Sequence, residues 1–471
     1  MKRNLYFKWL FVSALLCFGA GSVTAEGKKT AYPEAKNYLY RITLADKVGT
    51  PFKIDKPEKY LSTKAIARRK RQGLAIDSTD LPLSPKYVKA IAKAGHRIVG
   101  QSKWNNTLLI QGADSAKMEG LISLPFVKEV KKVWRSPDSI AVQEREIYAS
   151  ELVLPKSDKP ASRYGAADYQ VDLLNGKPLH DAGFRGQGIT IAVFDGGFMN
   201  VDKIPAFQNV RILGTRDFAY PRCADVFTQP DHGTAVLSCI AANQPGMYVG
   251  TAPEAEFWLV RCEDVQVESL AEEDFWTMAA EFADSVGVDL ISSSLGYTTF
   301  DDPSMNHCYS EQNGRVALNS RTASKLASKG IVLVNSAGNL GMGTWKKINF
   351  PSDAFDILSV GALSPDRINA RFSSIGPTDD GRIKPDVMSL GNPGQTIDGK
   401  GKIAGINGTS FACPILAGMV ACLRQALPDL PAKDIVELVR RAGNNYSTPN
   451  NIFGYGIPDF YKAYQLGLHG K

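Results

Sequence analysis

The stretch Ile189-Thr190-Ile191-Ala192-Val193-Phe194-Asp195-Gly196-Gly197 is an apolar run that ends at a carboxylate and two glycines. It lacks alternation of apolar and polar residues, which is typical of a strand buried on both faces of a parallel sheet. Similar short runs occupy residues 288–292, 331–334 and 357–360, with helical stretches between them. The region from residue 167 onward therefore predicts an α/β fold, a parallel sheet covered by helices on both faces.

The 471-residue chain divides into four predicted parts. Residues 1–25 have a basic start, an apolar run and a small-residue end, which predicts a secretory signal peptide and a secreted or periplasmic protein. Residues 26–135 mix strand and helix patterns and indicate a small α+β domain. Residues 136–166 lose periodicity and gain Pro, Ser, Asp and Lys, which is typical of a linker. Residues 167–471 are the predicted α/β domain.

The elements predicted in the α+β part are strands at 37–44, 106–111 and 127–133 and helices at 62–72, 85–94 and 113–124. The apolar run of the signal peptide is shorter than the span of about 20 residues that crosses a membrane. No later stretch predicts a transmembrane segment, so we expect none in the mature chain.

Charge is divided unevenly along a chain whose net charge is +7. Residues 26–165 carry 27 basic and 15 acidic residues, whereas residues 166–471 carry 25 basic and 33 acidic ones. Net charges of +12 and −8 favour docking between the two parts. For the run Arg68-Arg69-Lys70-Arg71 we therefore expect a solvated helix face or part of this docking surface, and no nucleic-acid partner.

Six of the seven cysteines follow the predicted signal peptide, which contains Cys17. Apolar helical surroundings predict buried free thiols at three of them, namely Cys239, Cys413 and Cys422. Loop-like surroundings leave one disulfide bridge open among the other three, which are Cys223, Cys262 and Cys308. No cysteine or histidine spacing suits zinc, and no metal site is predicted.

Four polar groups stand at the ends of predicted elements. Asp195 follows a buried strand, where open α/β sheets place their sites, and His232 opens an apolar helical run. Asn339 follows the run at 331–334. Each has a simpler alternative: a turn carboxylate, a residue at a helix start and a loop asparagine that stabilises its own turn.

The fourth group is Ser410, in Gly408-Thr409-Ser410-Phe411-Ala412-Cys413-Pro414, ahead of a long apolar helix. Free N–H groups and the positive dipole end of such a helix suit a developing oxyanion. Pro414 fits the first helical turn, where its missing N–H is not needed. The alternative is a Thr-Ser helix cap.

Taken together, the four groups favour one chemistry. The chain order Asp195, His232, Ser410 is the order of the catalytic triad in subtilisin. From residue 167 to about 465 the chain resembles the subtilisin (subtilase) peptidase family. The motifs that carry the resemblance are Gly186-Gln187-Gly188 with the strand to Asp195, His232-Gly233-Thr234, Ser292-Ser293-Ser294-Leu295-Gly296, Ser336-Ala337-Gly338-Asn339, Phe372-Ser373-Ser374-Ile375-Gly376-Pro377, Lys384-Pro385-Asp386-Val387 and Gly408-Thr409-Ser410 with Ala412 and Pro414.

The resemblance implies a serine endopeptidase acting on proteins or peptides, with Asn339 in the oxyanion hole. The residues it implies in substrate binding are Ser294, Leu295, Gly296, Ala337 and Gly338. It implies a monomer that requires no cofactor; structural calcium is compatible with the family, but no acidic loop assigns it. Residues 26–135 lie where the family carries an inhibitory, chaperone-like prodomain of ferredoxin-like α+β fold, and we expect processing between Arg135 and Gly165.

Two positions depart from the family pattern: Gly196 replaces a common Ser or Thr, and Ala235 replaces a frequent second histidine. Two other function classes compete with a peptidase. A nucleotide-binding oxidoreductase is disfavoured because Gly183-Phe184-Arg185-Gly186-Gln187-Gly188 has the wrong spacing and precedes a strand. A catalytically silent subtilase-fold binding or inhibitory module remains the alternative, although the triad residues and the asparagine are all present.

Overall fold

The fold was obtained as a computed structural model that describes residues 29–31, 37–141 and 162–469. The predicted signal peptide, with Cys17, lies outside the described residues. So do residues 142–161, which make up most of the predicted linker and of the expected processing region. Two units follow from the topology, an N-terminal unit (residues 37–141) and a C-terminal unit (residues 162–469).

The N-terminal unit has an antiparallel four-stranded sheet with helices in its crossovers. In chain order its elements are β2 (Tyr38–Leu44), α1 (Thr63–Arg71), α2 (Pro85–Lys93), β3 (Arg97–Ser102), β4 (Thr107–Gly112), α3 (Ser115–Glu119) and β5 (Val127–Arg135). The sheet order β3-β4-β2-β5 is that of a ferredoxin-like unit, and the predicted α+β class is confirmed. Two short strands, β1 (Lys29–Ala31) and β6 (Ser139–Ala141), pair with each other.

The sheet of the N-terminal unit is apolar on both faces. Tyr40 and Ile42 of β2 point into the unit's own core, whereas Leu39 joins an apolar cluster shared with the C-terminal unit. Strand β3 was missed in the sequence because Arg97, Gly100 and Gln101 interrupt its apolar pattern. The second face requires a partner, and the C-terminal unit supplies it.

The C-terminal unit is built on a seven-stranded parallel sheet in the order β15-β14-β13-β12-β7-β11-β8. The strands are β7 (Thr190–Asp195), β8 (Arg211–Asp217), β11 (Glu256–Arg261), β12 (Leu290–Ser293), β13 (Val332–Ser336), β14 (Leu358–Leu363) and β15 (Val387–Leu390). Two small hairpins pair β9 (Asn243–Gln244) with β10 (Tyr248–Val249) and β16 (Gly394–Ile397) with β17 (Ile403–Ile406).

Helices cover both faces of this sheet. They are α4 (Asp168–Leu173), α5 (Lys177–Asp181), α6 (His232–Ala241), α7 (Glu272–Val286), α8 (Leu318–Leu326), α9 (Thr409–Ala426), α10 (Ala432–Arg441) and α11 (Phe460–His469). Ile191 and Val193 of β7 pack into the cluster that contains α6 and α9. Ala192 and Phe194 pack into the cluster that contains α7 and α8. The predicted α/β fold with both faces covered is confirmed.

Within the described part of the chain, one helix is long and apolar enough to cross a membrane, namely α9. Of its 18 residues 89% are buried inside the protein, because α9 packs on the parallel sheet between the other elements of the apolar core. Burial by protein explains its apolar composition.

The two units meet through buried charges as well as apolar side chains. The Arg68 guanidinium is 2.5 Å from the Asp284 carboxylate of α7, and Arg69 is 3.0 Å from the same carboxylate. Arg41 of β2 pairs with Asp274 at 2.6 Å. Lys70, between these contacts in the sequence, is exposed. The basic run on α1 is therefore part of the docking surface, one of the two alternatives that its charge left open.

All six cysteines of the described residues carry free thiols. Cys239, Cys413 and Cys422 are buried, as their apolar surroundings predicted. The single bridge left open among Cys223, Cys262 and Cys308 is not formed. Cys262 follows β11 and is buried, so its surroundings are less loop-like than the sequence indicated, whereas Cys308 is exposed.

Candidate active site

The aspartate of the site stands at the carboxyl end of the sheet. Asp195 is the last residue of β7, and its carboxylate is almost completely buried. The Gly196 N–H donates to Asp195 Oδ1 at 2.8 Å, which fixes one carboxylate oxygen. Every residue of β7 is buried, which anchors the strand in the sheet. Asp195 at its end therefore has little freedom to move.

The histidine of the site is the first residue of α6. His232 Nδ1 lies 3.0 Å and 2.9 Å from the two carboxylate oxygens of Asp195. The close approach requires Gly233, since a Cβ there would lie 2.3 Å from the Gly197 carbonyl oxygen. The imidazole is 40% exposed, and with Nδ1 against the buried carboxylate it is the Nε2 edge that remains accessible.

Electrostatics favour the protonated form of this histidine. Burial lowers the pKa of His232, but the charge and hydrogen bond of Asp195 outweigh it and raise the pKa to about 9. Glu263 and Asp231 add smaller contributions of the same sign. At neutral pH the imidazolium therefore predominates, and the neutral form that can accept a proton becomes populated as the pH rises toward 9.

The serine of the site is the second residue of α9. Ser410 is 8% exposed, and its hydroxyl lies 3.4 Å from the Ser294 carbonyl oxygen, a long and weak hydrogen bond. The Phe411 ring lies 5.8 Å, centre to centre, from the imidazole of His232, which places the residue after the serine beside the histidine, but among the described residues no hydrogen bond joins Ser410 to His232. A weakly held hydroxyl can rotate, and such contacts commonly tighten only when substrate binds.

Pro414 is the sixth residue of α9, so the prediction that it lies in the first turn was wrong. The helix begins at Thr409, before the serine. In a regular helix the N–H of residue 414 would donate to the Ser410 carbonyl, but proline has no N–H. The Ser294 hydroxyl donates to that carbonyl instead, at 2.8 Å. The backbone of the serine is thereby attached to the segment after β12.

The asparagine follows β13 and is exposed. Its Oδ1 accepts from the Thr409 N–H and from the Thr409 hydroxyl, both at 2.9 Å. These two bonds fix the amide plane beside the N-terminus of α9. Among the described residues, the Asn339 amide nitrogen has no other partner and is available as a donor.

The two segments expected to bind substrate differ in their free backbone groups. Gly296 is exposed, and within the described ranges its N–H and carbonyl have no backbone partner. Ser294 and Leu295 are buried beside it. In contrast, the N–H of Ala337 donates to Val360 and that of Gly338 to the Thr409 hydroxyl, and both of their carbonyls are also occupied. Of the five residues, Gly296 offers free backbone for pairing.

The acidic segment after β11, which begins at Cys262 and Glu263 and borders the triad, was not identified from the sequence. Cys262 donates to the Asp195 carbonyl at 3.0 Å, and Glu263 follows directly. The signal available in the sequence was the position of Glu263 just beyond β11, the strand that pairs with β7. It could not be used because the strand order, and hence the neighbour of Asp195, was unknown.

Comparison with protein families matches residues 186–456 to the Subtilase family, Peptidase S8. The chain belongs to the subtilase family. Subtilases are serine-type endopeptidases. Residues 39–146 match the Peptidase S8 propeptide domain of Bacteroidota, so the N-terminal unit is a propeptide domain, as its position had suggested.

Relatives in this family are distant. The chain is 29% identical to serine protease AprX of Bacillus subtilis over 301 residues, 58% of this chain and 65% of AprX. It is 28% identical to subtilisin NAT of Bacillus subtilis subsp. natto over 349 residues, 73% of this chain and 77% of that protein. Identity to the human membrane-bound transcription factor site-1 protease is 28% over 306 residues, 62% of this chain but 26% of the relative. The chain thus spans about two thirds of the length of AprX and about a quarter of the length of the site-1 protease.

Proposed function

We propose that this subtilase hydrolyses peptide bonds in proteins through a triad of Asp195, His232 and Ser410, and that it is made as a self-inhibited precursor. The observation that carries the proposal is the contact of His232 Nδ1 with both oxygens of the buried Asp195 carboxylate, at 2.9 Å and 3.0 Å. A carboxylate in this position selects the imidazole tautomer whose free Nε2 accepts a proton.

In the proposed reaction, Ser410 Oγ attacks the carbonyl carbon of the substrate while His232 Nε2 takes the hydroxyl proton. The proton then passes to the leaving amine, and the acyl-enzyme forms. Water, deprotonated by the same nitrogen, attacks the ester and releases the acid product. Asp195 orients the imidazole and stabilises its positive charge. Side chains, one backbone N–H and a water fill every role, so the proposed chemistry requires no cofactor.

The oxyanion formed at each step needs donors. Asn339 Nδ2 and the Ser410 backbone N–H are the proposed pair. Two bonds from Thr409 to Asn339 Oδ1, both at 2.9 Å, orient the amide without occupying its nitrogen. The N-terminus of α9 adds a positive dipole end at the same place. Substrate is proposed to pair as an added strand with Gly296.

The propeptide domain is the proposed intramolecular inhibitor. Its basic face is paired with buried carboxylates of α7, which gives the precursor a stable, charge-matched interface. We further propose export by the N-terminal signal, processing between Arg135 and Gly165, and a monomeric mature enzyme. Export and processing follow from the sequence, and the monomeric state follows from the family resemblance.

The test compares the full-length wild-type chain with Ser410→Ala, with Ser328→Ala as control because Ser328 is an exposed serine on the surface. We expect wild type and the control to release the propeptide region, measured by mass spectrometry, and to hydrolyse casein. The Ser410→Ala chain should remain uncut and inert. A fluorophosphonate should label Ser410 in wild type but fail on a His232→Ala protein. Equal processing and equal hydrolysis by the Ser410→Ala chain would overturn the proposal, whereas a wild-type chain that stays uncut and inert would favour a silent binding module.

A further inference from the structure

Beside the triad, residues 262–268 form a loop, here called the acidic loop, that connects β11 to α7. Arg261 is the register partner of Asp195, so the loop begins at the same edge of the sheet as the triad. A Cβ added at Gly196 would lie 4.0 Å from Glu263 Cβ, which places this glutamate against the residue after Asp195. The loop is therefore one border of the cleft.

The far end of the acidic loop reaches the segment that follows Gly296. Glu268 and Asp301 exchange bonds: the Glu268 N–H donates to the Asp301 carboxylate at 3.2 Å, and the Asp301 N–H donates to the Glu268 carbonyl at 2.9 Å. The buried Glu272 accepts from the N–H groups of Asp264 and Ser269, at 3.1 Å and 3.0 Å. The loop shape is thus fixed by its own hydrogen bonds, which involve neither the Glu263 nor the Glu268 carboxylate.

Those two carboxylates have no counter-ion. Within the residues that the structure describes, neither Glu263 nor Glu268 has an ion-pair or side-chain hydrogen-bond partner. Burial, then the neighbouring Glu268 and Asp195, raise the pKa of Glu263 to about 8, and the one cation opposing this is His232. Glu263 is half-buried and Glu268 is exposed, so the cost of an unpaired charge falls mainly on Glu263, and a cation bound beside both carboxylates removes that cost.

A buried tyrosine lies close to the same loop. The Tyr297 side chain is 2% exposed, and its hydroxyl has no hydrogen-bond partner. Its acidic neighbours are Glu263, Glu272 and Glu268. Buried hydroxyls are nearly always hydrogen-bonded, so an unpartnered hydroxyl close to these carboxylates is available to accept from a ligand group bound there.

We propose that the acidic loop is a substrate subsite, in which Glu263 and Glu268 bind the ammonium or guanidinium group of a lysine or arginine close to the scissile bond. The occupied residue lies on the side of the substrate that pairs with Gly296, because the loop joins the triad to the segment after that glycine. The site makes the enzyme selective for basic sequences. This inference rests on the proposed peptidase activity.

The experiment measures kcat/KM of the processed wild-type enzyme on fluorogenic peptides. Three pairs place lysine or the uncharged norleucine second, third or fourth before the scissile bond. We expect lysine to be preferred at one of these positions by about ten- to a hundredfold, the range of a charge-assisted hydrogen bond. The preference should shrink at 1 M salt, where charges are screened beyond about 3 Å. A glutamate there should be the poorest substrate.

The variants are Glu263→Gln, Glu268→Gln and the double variant, and in each the lysine-to-norleucine ratio should fall toward one. The control is Asp429→Asn, an exposed carboxylate past the far end of α9, about 27 Å along the helix from its start. It should keep the wild-type ratio. Cleavage without a lysine preference, or a preference that survives the double variant, overturns the subsite alone. No cleavage of any peptide overturns the peptidase proposal and the subsite with it.

Discussion

The Ser294 hydroxyl donates a hydrogen bond of 2.8 Å to the carbonyl oxygen of Ser410. That carbonyl lacks its usual helical partner because residue 414, four positions later, is proline. The bond therefore joins the proposed nucleophile to the proposed substrate segment, and it does so in the first turn of a buried helix. Pro414 thus leaves the Ser410 carbonyl without a donor inside the helix, and the Ser294 hydroxyl donates to it instead.

Ser294→Ala should leave the Ser410 carbonyl buried without a partner and lower the free energy of unfolding by about 1–3 kcal/mol. Urea unfolding of the uncut Ser410→Ala precursor measures this without autolysis. Adding Pro414→Ala to Ser294→Ala supplies the missing N–H and should restore part of the loss. Additive losses in the double variant would show that the two residues do not serve the same carbonyl.

Asn339→Asp should separate the structural from the chemical role of Asn339. The carboxylate keeps an oxygen for the two bonds from Thr409, but the donating nitrogen is gone. We expect kcat to fall by about 10²–10³, the known effect of removing the corresponding donor in subtilisin. The melting temperature should change little. A variant with unchanged kcat would remove Asn339 from the oxyanion hole.

The activity of the enzyme should rise with pH up to an alkaline value. His232 acts as a base only when neutral, and its pKa is raised to about 9, chiefly by Asp195. Below that value kcat/KM should increase about tenfold per pH unit. The His232–Asp195 pair should stabilise the fold fully below the unfolded histidine pKa of about 6.5 and lose this effect as the pH rises through about 9.

A change at Glu263 should move this pH profile. Glu263 is among the groups that raise the pKa of His232, so Glu263→Gln should shift the rising limb of kcat/KM to lower pH. The norleucine peptides measure the shift without involving a charged substrate. Asp429→Asn should leave the limb in place, and an unmoved limb in Glu263→Gln would show that this carboxylate does not influence the imidazole.

The interface between propeptide and peptidase should depend on buried charges and be indifferent to exposed ones. Arg68→Ala leaves Asp284, a fully buried carboxylate, without one of its two close guanidinium partners. We expect the Ser410→Ala precursor to lose about 3–5 kcal/mol of stability, the cost of breaking a buried pair. Lys70→Ala, two residues away and exposed, should cost under about 0.5 kcal/mol. Equal effects of the two would contradict the contact.

Local sequence patterns were enough to predict the class of fold and the residues of the candidate site. Unbroken apolar runs such as the one before Asp195 require burial on both faces of a sheet. This requirement can be recognised from the residues of each strand alone. The positions of His232, Asn339 and Ser410 at element ends follow from glycines and helix-start signals that also act locally. Likewise, the opposite net charges of the two halves predicted a docked pair before any contact was known.

Which of these groups come into contact depends on the packing of distant segments. The order of strands in the sheet places β11 beside β7 and so brings Glu263 close to Asp195. The two residues are 68 positions apart, and no local sequence pattern predicts that they are neighbours. The bond from Ser294 to Ser410 joins residues 116 positions apart. The burial of Arg68 beside an exposed Lys70 depends on how α1 rests on α7. Such contacts depend on long-range packing, which local patterns of burial and turn formation leave undetermined.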